Sequence, residues 1–361
     1  MKTISMIETA EQACRAVMNT YTPAELPPAG IWHYHQGVFL EGMRRVYEQT
    51  GTEEYFNYVK SYIDLLVDEE GNFLFAREEL DAIQVGILLF PLYQKTGDKR
   101  YMIAAKKLRS LYGSFNKTTE GGFWHKDKYP YQMWLDGLYM AGPFALMYHE
   151  HFHEPELIQQ VLYQEKLMRI HTKDQNTGLF YHAWDEKKQQ PWANPETGRS
   201  PEFWSRSIGW YGTALIDIAE RLPDYHPSRA ELIEELRALI PALLAFQDEQ
   251  TGLWYQVTHK GAREDNWLES SGTSLFIYTI AKAVQNGWAD ASYLKEAERA
   301  FNGLMGHMVD TSGGQWKLKG ICIGTSAGVY DYYVSRPASA NDLHGVGAFL
   351  LAVMALEQAK K

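Results

Sequence analysis

The feature that most constrains this fold is a six-fold alternation of two kinds of helical segment along 361 residues. One kind opens on a polar or small residue and continues as a mostly apolar run. These runs begin near His35, Asp81, Asp136, Arg206, Ser270 and Asp342, as in Gly37-Val-Phe-Leu-Glu-Gly-Met and Gly345-Val-Gly-Ala-Phe-Leu-Leu-Ala-Val-Met. A helix apolar nearly all round offers no face to water, so it belongs inside a large fold. The small residues in these runs allow close packing. The other kind is amphipathic and covers 6–20, 53–67, 98–112, 154–171, 228–247 and 291–308. Tyr55, Val59 and Ile63 share one face there, flanked by Glu53, Glu54, Lys60 and Asp64. That spacing predicts outer helices with a solvated side.

Repeated helix pairs stack so that each buries its neighbour's apolar face. Six inner and six outer helices close into a ring, the (α/α)6 barrel, an all-α class with few strands. A lone hairpin is expected where residues 251–260 alternate. No Pro-, Gly- or Ser-rich linker divides the chain, so residues 1–361 are expected to form one domain. Links from inner to outer helices are short and polar, such as Thr50-Gly-Thr and Thr96-Gly-Asp. Links in the other direction are long and aromatic: Trp32-His-Tyr-His, Gly121-Gly-Phe-Trp-His, Thr177-Gly-Leu-Phe-Tyr-His and Thr251-Gly-Leu-Trp-Tyr. Topology puts the long links at one end of the barrel, where elaborated loops make a binding face.

That mouth gathers candidates. Asp81 and Asp136 open the second and third inner helices, and Arg206 opens the fourth. His125 and His182 end the links before the third and fourth. Trp134, Trp204 and Trp210 flank them, and the chain is rich in such rings, with 23 Tyr and 11 Trp. Two carboxylates at one mouth suit glycoside hydrolysis. The competing reading for each Asp alone is a helix N-cap. Arg206 offers a bidentate fork to a substrate carboxylate, against the alternative of a surface ion pair. A lone histidine in an aromatic segment reads as a satisfied core residue, but two at equivalent points of two repeats read as a site. The His149, His151, His153 run has metal-ligand spacing, yet falls at the opposite end. No phosphate cradle is present, and neither metal nor cofactor is expected.

Charge narrows the partners. A net charge of −10 disfavours nucleic acid and anionic membranes, and an anionic small substrate would need a local cation. Cys14 and Cys322 make no CxxC pair and suggest no disulfide framework. The first residues carry no apolar run of signal-peptide length, so the cytoplasm is the expected location.

At these residues the sequence resembles the unsaturated rhamnogalacturonyl hydrolases of glycoside hydrolase family 105. It is related more distantly to the unsaturated glucuronyl hydrolases of family 88. The likeness runs through nearly the whole chain and is most specific in Met133-Trp-Leu-Asp-Gly-Leu-Tyr-Met-Ala-Gly-Pro. It implies that Asp136 is the catalytic acid/base and that Asp81 holds ring hydroxyls and modulates it. Tyr34, His125, Trp134, His182, Trp204, Arg206 and Trp210 fall where the family contacts substrate. The stretch Arg206-Ser-Ile-Gly-Trp210 departs from the family pattern, with Ile208 in place of an Asn, which bears on substrate choice.

The implied substrate is a small anionic oligosaccharide left by a polysaccharide lyase, as in pectin breakdown. Its terminal uronic acid carries a 4,5-double bond and is a vinyl ether. Protonation of carbon 4 gives an oxocarbenium-like cation, water adds at carbon 5, and the hemiketal opens to release the aglycone. One acid/base group can serve both proton transfers. A helix N-terminus lowers the pKa of Asp136. Desolvation beside Trp134, repulsion from Asp81 and the substrate's own charge are expected to outweigh it. The alternatives are a glucuronyl hydrolase or sugar epimerase on the same barrel, or a non-catalytic sugar-binding protein.

Overall fold

The computed structural model describes residues 5–73 and 79–361. The inner helices are α2 (Tyr34–Thr50), the interrupted pair α4 (Leu80–Val85) and α5 (Leu89–Thr96), α7 (Asp136–Phe152), α9 (Ser205–Arg221), α11 (Ser270–Gln285) and α14 (Leu343–Ala359). The outer ones are α1 (Met6–Met18), α3 (Glu53–Leu66), α6 (Arg100–Leu111), α8 (Pro155–Thr172), α10 (Pro227–Leu244) and α12 (Leu294–Gly303). A short α13 (Tyr330–Val334) lies in the last long link. Going round, α2 packs on α4, α4 on α7, α7 on α9, α9 on α11, α11 on α14, and α14 returns to α2. The ring is closed, and the fold is the (α/α)6 barrel.

Local chemistry sets the elements. Ser5 and Glu8 form a reciprocal capping box at the start of α1. In α3, Tyr55, Tyr58, Val59, Tyr62, Ile63 and Leu66 are buried on one stripe, and burying an aliphatic side chain of this size contributes about 1.5–3 kcal/mol. At the short-link end, α2 and α5 stop on Gly51 (φ 69°) and Gly97 (φ 71°). The left-handed region lets the chain turn there and satisfies a terminal carbonyl. The second inner helix breaks into a 3₁₀ turn at Gly86–Leu88. Pro91 explains the break, because it lacks an N–H and its ring crowds the carbonyl of Ile87.

Close packing of the inner ring depends on glycine. A Cβ on Gly347 would lie 2.5 Å from the α2 backbone at Val38 and Phe39, and one on Gly272 would lie 2.6 Å from Ser205 Oγ. The helices could not approach so closely with larger residues.

Among the described residues, strands are two or three residues long. β1 (Gln132–Trp134) pairs antiparallel with β2 (Ala183–Asp185), Trp134 facing Ala183. β3 (Val309–Asp310) pairs with β4 (Lys317–Leu318), and β5 (Ile321–Cys322) with β6 (Ala338–Ser339). The hairpin expected over 251–260 does not form. Tyr255 bridges to Leu268 and Val257 to Trp204. Gln256 N–H donates to Trp267 O (2.7 Å) and Thr258 N–H to Phe203 O (2.9 Å). The segment's alternation thus serves neighbouring links on both sides rather than a return strand. Among the described residues, no helix is long and apolar enough to cross a membrane.

Candidate active site

A cavity of about 300 Å³ opens at the end where the inner helices begin. Of the residues singled out from sequence, Tyr34, Asp81, His125, Trp134, Asp136, Trp204 and Arg206 line it together. They come from the starts of α2, α4, α7 and α9 and from the links that precede them. The β1–β2 pairing brings two of those links together, and Leu135 N–H donates to His182 O (3.0 Å). Trp134, Asp136 and His182 are thereby fixed beside one another.

Asp136 is the first residue of α7, yet neither it nor Asp81 caps its helix through its side chain. The N-cap reading therefore fails for both. Asp136 is buried (8% exposed), and its Oδ2 lies 3.3 Å from His182 Nε2. On the far side of that imidazole, Nδ1 meets the Tyr333 hydroxyl at 2.7 Å. Tyr333 also accepts from Gly328 N–H (3.2 Å), so its hydroxyl is fixed on the Nδ1 side of the imidazole and Nε2 faces Asp136. His182 thus lies behind Asp136 rather than on the cavity wall. Trp134 stacks on His125 (centroids 4.3 Å, 17°), and Trp204 tilts against His182 at 4.6 Å.

Burial pushes the Asp136 carboxyl up. The adjoining His182 imidazole, followed by His125 and Arg206, pulls it down and prevails. In the free site Asp136 is held below the usual carboxylate range, so of the three expected effects burial and Asp81 do not suffice without the substrate's own charge. The reason is visible in Asp81: its charge is compensated by an ion pair with Lys126, so it does not supply the expected repulsion. Burial raises Asp81, but Lys126, His125 and His33 together hold it well below its ordinary value. Burial pushes His125 down to about 4, so it is neutral near pH 7.

Arg206 is 1% exposed. Its Nη1 donates to Cys322 O, its Nη2 to Ile323 O (2.8 Å), and its guanidinium lies 4.4 Å over the Trp204 ring. Much of the fork therefore grips the last long link instead of standing free. Trp210 is a correction. One turn deeper than Arg206 on α9, it is fully buried and stacks on Tyr139 (4.6 Å, 18°) inside the barrel wall, away from the cavity.

Sequence reasoning missed several lining residues: Lys126, Lys128, Tyr129, Ser326, Tyr332 and Arg336. Lys126 directly follows His125 and was within reach of the same argument. Tyr332 and Arg336 lie in and just after α13 of the last long link. His35, Asp342 and His344 place one potential ligand atom each within 4.8 Å of one another, as do His33, Glu79 and Asp81. In the second group the Lys126 ammonium already sits on Glu79 and Asp81. The His149, His151, His153 run ends α7 at the other end of the barrel, with the His151 ring on Met147 O (2.9 Å).

The sequence model of Glycosyl Hydrolase Family 88 matches residues 7–360. A solved glycoside hydrolase from family 105 of C. acetobutylicum is 35% identical, with a TM-score of 0.91 over 96% of this chain and 99% of that one. The unsaturated rhamnogalacturonyl hydrolase YesR of Bacillus subtilis is 29% identical over 254 residues, 67% of this chain and 68% of its own. The unsaturated glucuronyl hydrolase of Bacillus sp. GL1 shares the fold, with a TM-score of 0.71 at 14% identity over 96% of this chain and 97% of that one. A closed ring of six helix pairs, an acid-lined mouth at its elaborated end and these matches lead to one conclusion: the chain belongs to the glycoside hydrolases that the Family 88 model covers and resembles most specifically those of family 105, to which it is assigned.

Proposed function

We propose that this enzyme releases a 4,5-unsaturated uronic acid from the non-reducing end of lyase-generated oligosaccharides, with the unsaturated rhamnogalacturonan disaccharide as substrate. The observation that carries the reading is the buried Asp136 on the cavity wall, backed by His182 and flanked by Trp134 and Trp204. Asp136, protonated in the complex, gives its proton to carbon 4. The resulting carboxylate takes a proton from water as the water oxygen bonds to carbon 5. The hemiketal so formed opens and the aglycone leaves. The free site favours carboxylate, so protonation depends on substrate binding. An anionic sugar that displaces water beside Asp136 raises its pKa by desolvation and like charge. Asp81, held ionised by Lys126, accepts from ring hydroxyls.

The test follows the ultraviolet absorbance of the double bond with the unsaturated disaccharide. Absorbance decays, and heavy water places deuterium at carbon 4. Asp136→Asn lowers kcat by about 10³-fold or more while the thermal melt survives. The logarithm of kcat falls as pH rises through the pKa of Asp136 in the complex. A kcat that stays flat far into the alkaline range would exclude a required protonated carboxyl.

A further inference from the structure

Of the two groups of potential ligand atoms at the mouth, one carries its own counter-ion and the other does not. In the group His33, Glu79 and Asp81, the Lys126 ammonium sits on both acids. In the group His35, Asp342 and His344, among the described residues, no lysine or arginine pairs with Asp342. Asp342 stands at the N-cap position of α14, yet its side chain makes no capping bond. The carboxylate faces two imidazoles instead. Its Oδ1 lies 3.2 Å from His35 Nδ1 and 2.8 Å from His344 Nδ1, and the two ring centroids are 4.6 Å apart. His35 is the second residue of α2 and lines the cavity, and His344 is the second residue of α14 and is fully buried.

The hydrogen bonds of His344 decide what its Nδ1 can do. Its Nε2 lies 3.1 Å from Cys322 O. A carbonyl oxygen only accepts, so Nε2 carries the proton. In the neutral ring Nδ1 is then a lone pair, buried and without a hydrogen bond. An unprotonated nitrogen and a carboxylate oxygen at 2.8 Å repel each other unless a positive charge joins them. A second proton on His344 would be one such charge, but it would sit on Nδ1, whose approach to Asp342 makes no hydrogen bond. A metal ion is the other. His35 brings a third ligand atom to the same oxygen. An Nε2–H donated to a backbone carbonyl is the outer contact that fixes the tautomer and ring of a metal-binding histidine. Neighbouring ligand atoms on a tetrahedral zinc lie roughly 3.3 Å apart, close to the separations found here.

We propose that His35, Asp342 and His344 bind a divalent transition-metal ion of the zinc class. Two imidazoles and one carboxylate suit zinc and leave a fourth position for water. The ion ties the first inner helix to the last, across the junction where the ring closes. It also steadies the His344 ring, which shares Cys322 O with Arg206. The Arg206 charge opposes a second cation nearby, and the Asp342 carboxylate offsets it. The role is structural, and the inference stands apart from the reaction proposed above. The sequence directs attention to the 149–153 run because its histidines are adjacent, whereas these ligands are far apart along the chain.

The experiment uses the full chain, stripped with a chelator and titrated with zinc and, separately, with cobalt(II). Calorimetry should show one zinc bound per chain, and cobalt should give the visible absorption of a four-coordinate site. At zinc a hundredfold above its dissociation constant, the thermal melt should rise by about 3–4 °C. His35→Gln and Asp342→Asn should each weaken zinc binding by roughly tenfold or more and remove both the cobalt bands and the melt shift. Both side chains are partly exposed, and metal-free melts confirm that the variants fold. His149→Gln, at the far end of the barrel, should change none of these readouts. A chain that binds neither ion overturns the inference and assigns the cluster to a doubly protonated His344. Zinc that persists through His35→Gln and Asp342→Asn, or that is lost with His149→Gln, overturns it too, by placing the ion elsewhere.

Discussion

His182 approaches Asp136 from behind, with its Nε2 3.3 Å from the carboxylate. The orientation of that histidine is set by Tyr333, whose hydroxyl holds Nδ1. Removing the hydroxyl frees the imidazole to turn away from Asp136, without touching the cavity lining. Tyr333→Phe should therefore lower kcat by about tenfold with little change in KM, read in the absorbance assay. An unchanged kcat would show that His182 is held by packing alone. Asp81, Asp136 and Arg206 were legible because polar residues opening apolar helices are conspicuous. Trp210 was misread because sequence does not report depth: a tryptophan four residues after Arg206 has the same aromatic neighbourhood whether it faces sugar or core. The direction of the Asp136 shift was not legible either. It depends on Lys126 sitting on Asp81 and His182 sitting on Asp136, and both contacts join separate links or helices.

Helices were the most readable elements because their signals are local. The inner helices begin within about one residue of the polar openings read from the sequence, since capping, periodicity and glycine stops act over a few residues. The long links were less readable. Residues 251–260 alternate as a strand does, but their partners, Phe203 and Trp267, come from other parts of the chain. The small residues of the inner ring give the sharpest test at this scale. Gly347→Val would push a side chain into the α2 backbone and should destabilise the fold by about 3 kcal/mol through overpacking. Gly306→Ala meets nothing within 4 Å and should stay within about 0.5 kcal/mol. Urea midpoints of the two variants make the comparison. Equal midpoints would mean that the ring is looser than the geometry describes.

At the scale of the whole molecule, buried titratable groups tie stability to pH. Burial pushes His125 and His344 down to about 4, while an unfolded histidine titrates near ~6.5. Between those values the unfolded chain binds more protons than the native one, so stability rises with pH and is complete above about 6.5. Glu41, buried but held down to about 2 by Arg44 and Arg45, adds stability that is present above an unfolded value of ~4.3 and is lost as pH falls toward 2. Acidification from about pH 7 to pH 4 should lower the unfolding free energy by on the order of 3 kcal/mol for each of the two histidines, seen as a falling urea midpoint. A midpoint that holds steady across that range would show that both rings are charged in the native state. The closure of the ring has a further consequence. Because α14 fills the gap between α11 and α2, a nascent chain on the ribosome carries an open apolar seam until that seventeen-residue helix emerges. Barrel closure must then await the synthesis of α14, and chaperones would meet the preceding helices as an unsealed wall.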